Sequence, residues 1–364
     1  MTSIAEGGFW LGRRVLVTGH TGFKGSWLCA LLLRRGAAVS GIALPPDTQP
    51  SLWALAPYAR EVEQRIADVR DRAQIAAAVG GLRPQSVFHL AAQPLVRRGY
   101  AEPVETYATN VMGTVHVLDA LRRCEGVEDV VVVTSDKVYA DRPRAGGYAE
   151  DARLGGADPY AGSKAAAELV VETYRSAYFA RPGAPRVATA RAGNVIGGGD
   201  FAADRLIPDA YRAVASGSPL TLRRPDAVRP WQHVLEPLHG YLALAQHLAR
   251  ARHDALAPGA AVGIPAQTAV NFGPGDRGVS VREVAERFVR ALGADPARAI
   301  VVEPSPEHET AVLEVDSVRA HALGWAPRWT TQAAVDASAA WYRDFLAGER
   351  VERLVARDLD AYAG

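Results

Sequence analysis

The chain has 364 residues, a formal net charge of +1 and two cysteines. That length supports a large core and two lobes, the interspersed charges speak against a nucleic-acid or membrane-surface binder, and sparse cysteine fits a reducing compartment. Met1 to Trp10 carries no apolar signal region, and no apolar run approaches the roughly 20 residues that span a bilayer, so a cytoplasmic protein is expected.

Arg14 to Thr18 reads as a buried parallel strand that runs directly into Gly19-His-Thr-Gly22-Phe-Lys-Gly25. A helix is predicted from Ser26 to Arg35, apolar at helical spacing, with Gly36 as its stop. A short strand follows, Ala38 to Leu44, broken by Pro45-Pro46. Further strands are predicted at Ser86 to Leu90, Val130 to Val133 and Arg186 to Ala190, with helix-like stretches between them. Strands alternating with helices predict an α/β fold, a Rossmann-type doubly wound parallel sheet. After Arg191 the chain becomes richer in Gly and Pro, as in Gly197-Gly-Gly-Asp200 and Arg229-Pro230. This predicts a smaller C-terminal lobe: residues 1–192 form the main domain, re-entered at about 230–272, and 193–229 with 273–364 form the lobe. Ala251 to Ala269 reads as an exposed loop, Val279 to Leu292 as a helix, and the tail ends in helix. Cys29 and Cys124 lie in apolar stretches and read as core residues.

Three groups of residues carry chemistry. Gly19-x-x-Gly22-x-x-Gly25 follows a strand and opens a helix, as a phosphate-cradling turn requires; the plainer alternative is a structural glycine turn. The next strand ends in Ala43-Leu44-Pro45-Pro46, with Asp47 displaced from the usual place of an acidic ribose partner and no arginine for a 2′-phosphate, which favours NAD. Tyr160 and Lys164, at i and i+4, share a helical face. Lys164 can lower the tyrosine pKa, so that phenolate takes a hydroxyl proton as hydride leaves the same carbon. Thr134, at its strand end, would hydrogen-bond that hydroxyl. Asp136-Lys137 is either a solvated turn or an acid/base pair beside a redox centre, for which a plain dehydrogenase has no use.

The turn Thr18-Gly-x-x-Gly-x-x-Gly25 resembles that of the extended short-chain dehydrogenase/reductase family, as does the chain over nearly its whole length. Within it, Ser135-Asp136-Lys137 resembles the CDP-glucose 4,6-dehydratases, whereas the dTDP-glucose enzymes have Asp-Glu there. The matching runs are Thr18 to Trp27, Phe88 to Val96, Thr109 to Val115, Arg191 to Asp200 and Arg229 to Val234. Val138, where the family pattern has Cys, and the insertion at 251–269 are departures.

The resemblance implies NAD held at Gly19, Thr21, Gly22, Phe23 and Gly25, with Asp68 and Val69 at the adenine. Leu90, Ala91, Ala92 and Asn110 then line the ribose and nicotinamide path, with Tyr160 and Lys164. Asp71 reads instead as a helix N-cap. A nucleotide sugar, CDP-glucose, is implied at Gln93, Asn194, Arg205, Leu206 and Arg229, with His308 in a closing segment; the arginines suit a diphosphate. Trp231 and His233 read as packing at the lobe junction. The implied reaction oxidises C4 with Tyr160, Lys164 and Thr134, eliminates water across C5 and C6 with Lys137 as base and Asp136 as acid, and reduces C6. No metal is called for. The family's habit implies a homodimer or homotetramer through helices near Val104 to Cys124 and Tyr160 to Tyr178. The alternatives are a nucleotide-sugar 4-epimerase, a 4,6-dehydratase of another nucleotide sugar, and a non-enzymatic redox sensor that binds dinucleotide.

Overall fold

The computed structural model describes residues 8–140, 147–255, 269–303 and 313–363. Seven strands form one parallel sheet: β1 (Arg14–Thr18), β2 (Ala38–Ala43), β3 (Glu63–Ile66), β4 (Ser86–His89), β5 (Asp129–Val133), β6 (Arg186–Ala192) and β7 (Ala269–Phe272). Their order across the sheet is β7-β6-β5-β4-β1-β2-β3. Val15–Val17, Val87–Phe88 and Val130–Val133 are unbroken apolar runs in the central strands because both faces are covered. Val15, Val17, Phe88, Val131 and Val133 join the larger core, while Leu16, Val87, Val130 and Val132 join the smaller one on the opposite face. Helices α1 (Phe23–Arg34) and α5 (Leu235–Asp254) feed the larger core, and α2 (Arg72–Leu82), α3 (Gly113–Leu121) and α4 (Pro159–Ala177) the smaller.

Several boundaries differ from the sequence reading. Helix α1 begins at Phe23, so Gly25 is already helical. Strand β3 escaped notice because all four of its residues are exposed at the sheet edge, which leaves no apolar pattern to read. Ala251 to Asp254 form the last turn of α5 and Ala269 opens β7; the rest of the expected loop, 256–268, lies outside the described residues. Cys29 is buried, but Cys124 is only half-buried.

Order reverses between β1 and β4, where successive connections leave in opposite directions and open a crevice at the strand ends. Gly19 and Leu90 begin the two loops that diverge there; Leu90 N donates to Thr18 O at 3.2 Å. The far wall of the crevice is made of short pairings. Val195–Ile196 pairs with Gln232–His233, Leu220–Leu222 with Ile300–Val302, and Val228–Arg229 with Val279–Ser280. The helix expected from Val279 therefore starts at Val281, after Ser280 has ended the strand and formed a capping box with Glu283. Trp231 and His233 are buried in this wall, where Trp231 Nε1 donates to Val279 O at 3.0 Å and His233 packs on Trp329. Among the described residues, no helix is long and apolar enough to cross a membrane.

Candidate active site

The crevice is a cleft of about 690 Å³. At its floor Gly19 has φ +74°, and a Cβ there would lie 2.8 Å from Ala91 N. A Cβ on Gly25 would come within 2.1 Å of Gly19 O. Both positions require glycine, because turn and helix meet backbone to backbone. Gly22 caps α1 without any side-chain hydrogen bond, leaving the first N–H groups of the helix for an anion. Thr21, Phe23, Leu90, Ala91 and Ala92 line the same floor, and Thr21 Oγ1 donates to Leu44 O at 2.9 Å. This side-chain-free cradle at an uncapped helix start, on the switch point, fits a dinucleotide.

Asp68 and Val69 stand at the cleft's end. The Arg70 guanidinium forks onto the Asp68 carboxylate at 2.6–3.0 Å and holds its pKa below the usual range. Asp71 caps α2, accepting from Ala73 N and Gln74 N. Asn110 departs from expectation: it is absent from the cleft wall. Its Oδ1 accepts from Gln93 N at 2.8 Å, and its Nδ2 donates to Gln93 O and Ser163 Oγ. It therefore ties the loop after β4 to α4 from behind. Gln93 does line the cleft, with its amide spent on Thr106 and Leu95 N.

Asp158 caps α4 and Pro159 occupies its first turn, which sets Tyr160 and Lys164 one above the other at the cleft. Burial pushes the Tyr160 phenol up to about 12; a hydrogen bond with the Ser135 side chain opposes the rise, and the Asp136 charge adds to it. Lys164 Nζ donates to Val133 O at 3.0 Å. Burial brings its pKa down to about 8, against the pull of Glu168.

Thr134 also departs from expectation. Strand residues alternate faces, and its hydroxyl turns away from Tyr160 to donate to Glu168 Oε1 at 2.5 Å. The hydroxyl beside Tyr160 belongs to Ser135. Ser135 caps the single turn Asp136–Val138, accepting from Lys137 N at 3.2 Å and donating to Asp136 Oδ1 at 3.1 Å. Asp136 is buried, and burial raises its pKa against Lys137, Ser135, Lys24 and Arg229. Its Oδ2 has no hydrogen-bond partner among the described residues. Lys137 is half-exposed on the cleft wall.

Lys24 escaped the sequence reading. It lies in the first turn of α1, and its Nζ is 3.5 Å from Tyr241 Oη. Its pKa is lowered to about 7, chiefly by burial and also by Arg205 and Lys164, against the pull of Asp136. The available signal was a lysine between Phe23 and Gly25, where the helix lies against the sheet.

The far wall carries Asn194, Arg205, Leu206 and Arg229. Arg205 Nη1 donates to Asp200 Oδ2 at 2.8 Å, and Arg229 Nη1 donates to Val228 O at 2.9 Å. The pairing of Val228–Arg229 with Val279–Ser280 fixes the Arg229 backbone. His308 lies outside the described residues. Among those residues, no cluster of His, Cys, Asp and Glu could hold a metal ion.

The profile of the NAD dependent epimerase/dehydratase family matches residues 15–256. The chain is 41% identical to a CDP-glucose 4,6-dehydratase of Salmonella typhimurium over 97% of each protein. It is 30% identical to a dTDP-glucose 4,6-dehydratase of Streptomyces griseus, over 90% of this chain and 93% of that protein. Among solved structures, a dTDP-glucose 4,6-dehydratase from Streptomyces venezuelae with NAD bound superposes with a TM-score of 0.76. The two are 25% identical, and the match covers 94% of this chain and 99% of the other. A UDP-glucose 4-epimerase of Thermus thermophilus in complex with NAD gives 0.75 at 26% identity, over 91% and 99%.

Proposed function

The chain belongs to the NAD dependent epimerase/dehydratase family, and from that premise we propose that it is a CDP-glucose 4,6-dehydratase, a lyase that forms CDP-4-keto-6-deoxyglucose. The observation that carries this reading is the position of Asp136, a buried carboxyl beside Tyr160 with one oxygen open. An epimerase has no use for such an acid, because it breaks no C–O bond.

The cradle at Gly19, Gly22 and Gly25 would hold NAD, which would supply the hydride-accepting and hydride-returning chemistry of the reaction. The residues of the chain supply the rest. Tyr160 accepts the O4 proton as general base, with Lys164 one helical turn along on the same face. Ser135, in place of Thr134, is the hydroxyl that meets O4, while Thr134 braces the strand end through Glu168. The C4 ketone acidifies the C5 proton, which Lys137 removes. Asp136, whose pKa burial raises, donates a proton to the departing O6 hydroxyl. Arg205, Arg229 and Asn194 hold the diphosphate and its ribose, while Gln93 and Leu206 border the sugar. Residues 193–229 and 273–364 provide the substrate side, and 1–192 with about 230–272 the cofactor side.

Assembly as a homodimer or homotetramer through α4 and the neighbouring segment from Val104 is part of the reading. The short helix Pro103–Tyr107 packs beside α4, and Val104, Tyr107, Met112, Leu169 and Tyr178 are exposed there. The enzyme is placed in the cytoplasm. Mass spectrometry after incubation with CDP-, dTDP-, UDP- and GDP-linked hexoses tests the function. Loss of one water from CDP-glucose in preference to the others is expected; an isomer of unchanged mass would support the epimerase instead.

A further inference from the structure

Tyr160, Lys164 and Glu168 follow one another at i, i+4 and i+8, so one face of α4 carries the redox pair and a buried carboxylate. The acid/base pair, Asp136 and Lys137, lies instead on the turn after β5. In the dehydration the two pairs act on neighbouring atoms of one sugar: Tyr160 at O4, Lys137 at C5 and Asp136 at O6. A substrate seated for one pair is seated for the other only if helix and turn keep a fixed separation. The turn's own backbone bonds are long for that task. Lys137 N donates to Ser135 Oγ at 3.2 Å, and Val138 N donates to Ser135 O at 3.4 Å. Its two flanks are tied to different neighbours, Thr134 N to Ala190 O on β6 and Ala140 N to Arg153 O, both at 2.9 Å.

We infer that Arg191, on β6, is the positioning residue that sets this turn against α4, and with it the elimination half of the reaction. Its buried guanidinium serves both flanks at once. On the entry side, Nε and Nη2 donate to the two oxygens of Glu168 at 2.8 and 2.9 Å, and Glu168 Oε1 takes the Thr134 hydroxyl at 2.5 Å. On the exit side, Nη1 donates to the Tyr139 hydroxyl at 2.9 Å and to Glu150 O at 3.0 Å. Tyr139 in turn donates to Asn271 Oδ1 on β7 at 2.6 Å, and its ring stacks on Tyr148 with centroids 4.8 Å apart. The residue before Ser135 and the residue after Val138 are thus referred to one planar group, whose N–H directions are fixed relative to one another. The same group grips α4 one turn beyond Lys164.

A third hydroxyl in this network supplies the contrast. Thr189 donates to Glu168 Oε2 at 2.7 Å, but it lies in the middle of β6 and does not adjoin the turn. Thr134, Tyr139 and Thr189 each lend one hydroxyl to the same buried cluster, and two of the three flank the acid/base pair. If the cluster only held the fold, removing each hydroxyl would matter in proportion to the stability lost. If it sets the turn, position decides.

The positioning role rests on the dehydratase reading, and the experiment separates the two. With NAD-loaded wild-type enzyme and CDP-glucose, failure to form a product lighter by one water would sink the reading itself. Where that product forms, the hydroxyls at the ends of Arg191 are removed, because replacing the guanidinium would strand Glu168 in the core. Thr134→Val, Tyr139→Phe and Thr189→Val are compared, each losing one hydroxyl and keeping the side chain's shape. Rapid-mixing absorbance reads reduction of bound nicotinamide, NMR of quenched samples reads solvent deuterium at C5, and denaturant unfolding reads stability. In Thr134→Val and Tyr139→Phe, C5 exchange should slow about 10- to 10²-fold, as for a misplaced reacting group, while the first hydride transfer changes less than about threefold. Reduced nicotinamide should therefore persist longer in these two variants. Thr189→Val should keep the wild-type ratio of the two rates, whatever stability it loses. The wild-type ratio in either Thr134→Val or Tyr139→Phe, or an equal shift of that ratio in Thr189→Val, would overturn the positioning role.

Discussion

Two buried carboxylates lie on either side of the end of β5, and they differ in how fully they are satisfied. Glu168 accepts from Thr134 and Thr189 hydroxyls at 2.5 and 2.7 Å and from the Arg191 guanidinium at 2.8 and 2.9 Å. Arg191 continues to the Tyr139 hydroxyl, which donates to Asn271 on β7 at 2.6 Å. Every member of this network has partners, and it joins β5, β6, β7 and α4. Asp136 has one oxygen on Ser135 and the other without a hydrogen-bond partner among the described residues. A saturated carboxylate can only hold the structure together, whereas a half-satisfied one keeps a position open for a reacting group. The comparison assigns Glu168 to architecture and Asp136 to chemistry.

The strongest way to break that division is on the chemical side. Tyr160→Phe should abolish both half-reactions, since C4 oxidation precedes elimination. Rapid-mixing absorbance of bound nicotinamide should show the first hydride transfer slowed about 10²- to 10⁴-fold. Lys137→Met should remove only the second half: C4 oxidation persists, the reaction stalls at the 4-keto sugar, and solvent deuterium no longer enters at C5. Normal C5 exchange together with full dehydration in that variant would make Lys137 a turn residue.

On the architectural side, Glu168→Ala leaves the buried Arg191 guanidinium without its carboxylate partner, held only by Tyr139 Oη and Glu150 O among the described residues. Denaturant unfolding should show a loss of about 3–5 kcal/mol. Unchanged stability would mean that the network carries no structural weight. The smallest effect concerns Lys24. Its pKa of about 7 lies below the ordinary lysine value because burial disfavours the cation. The folded protein therefore binds this proton less tightly than the unfolded chain. The resulting penalty is complete below about pH 7 and shrinks as pH rises toward the unfolded lysine's pKa. Lys24→Met should accordingly raise the Tm of the cofactor-free protein more at pH 6 than at pH 9. An equal change at both would contradict the assignment.

The parts of the fold set by local pattern were legible before the structure. Val15–Val17 is an apolar run, and Gly19 and Gly25 in the turn that follows tolerate no Cβ; Tyr160 and Lys164 share a face because the helix period places them there. What the sequence concealed depends on neighbours distant in the chain. Strand parity continues past the last paired residue, so Thr134 meets Glu168 and Ser135 meets Tyr160, a distinction invisible without α4 in place. Asn110 shares a motif with cleft residues, yet its amide is consumed by Gln93 and Ser163. β3 has no buried residue to announce it, and the far wall is assembled from two- and three-residue pairings too short for any periodicity to emerge.

The central claim is that the same site removes hydride at C4, expels water and returns the hydride to C6. CDP-glucose carrying deuterium at C4 tests it directly, by mass spectrometry and NMR of the product. The account predicts a product one water lighter that keeps the deuterium, now at C6, with no net reduction of NAD. A product of unchanged mass, or loss of deuterium with stoichiometric accumulation of NADH, would contradict it.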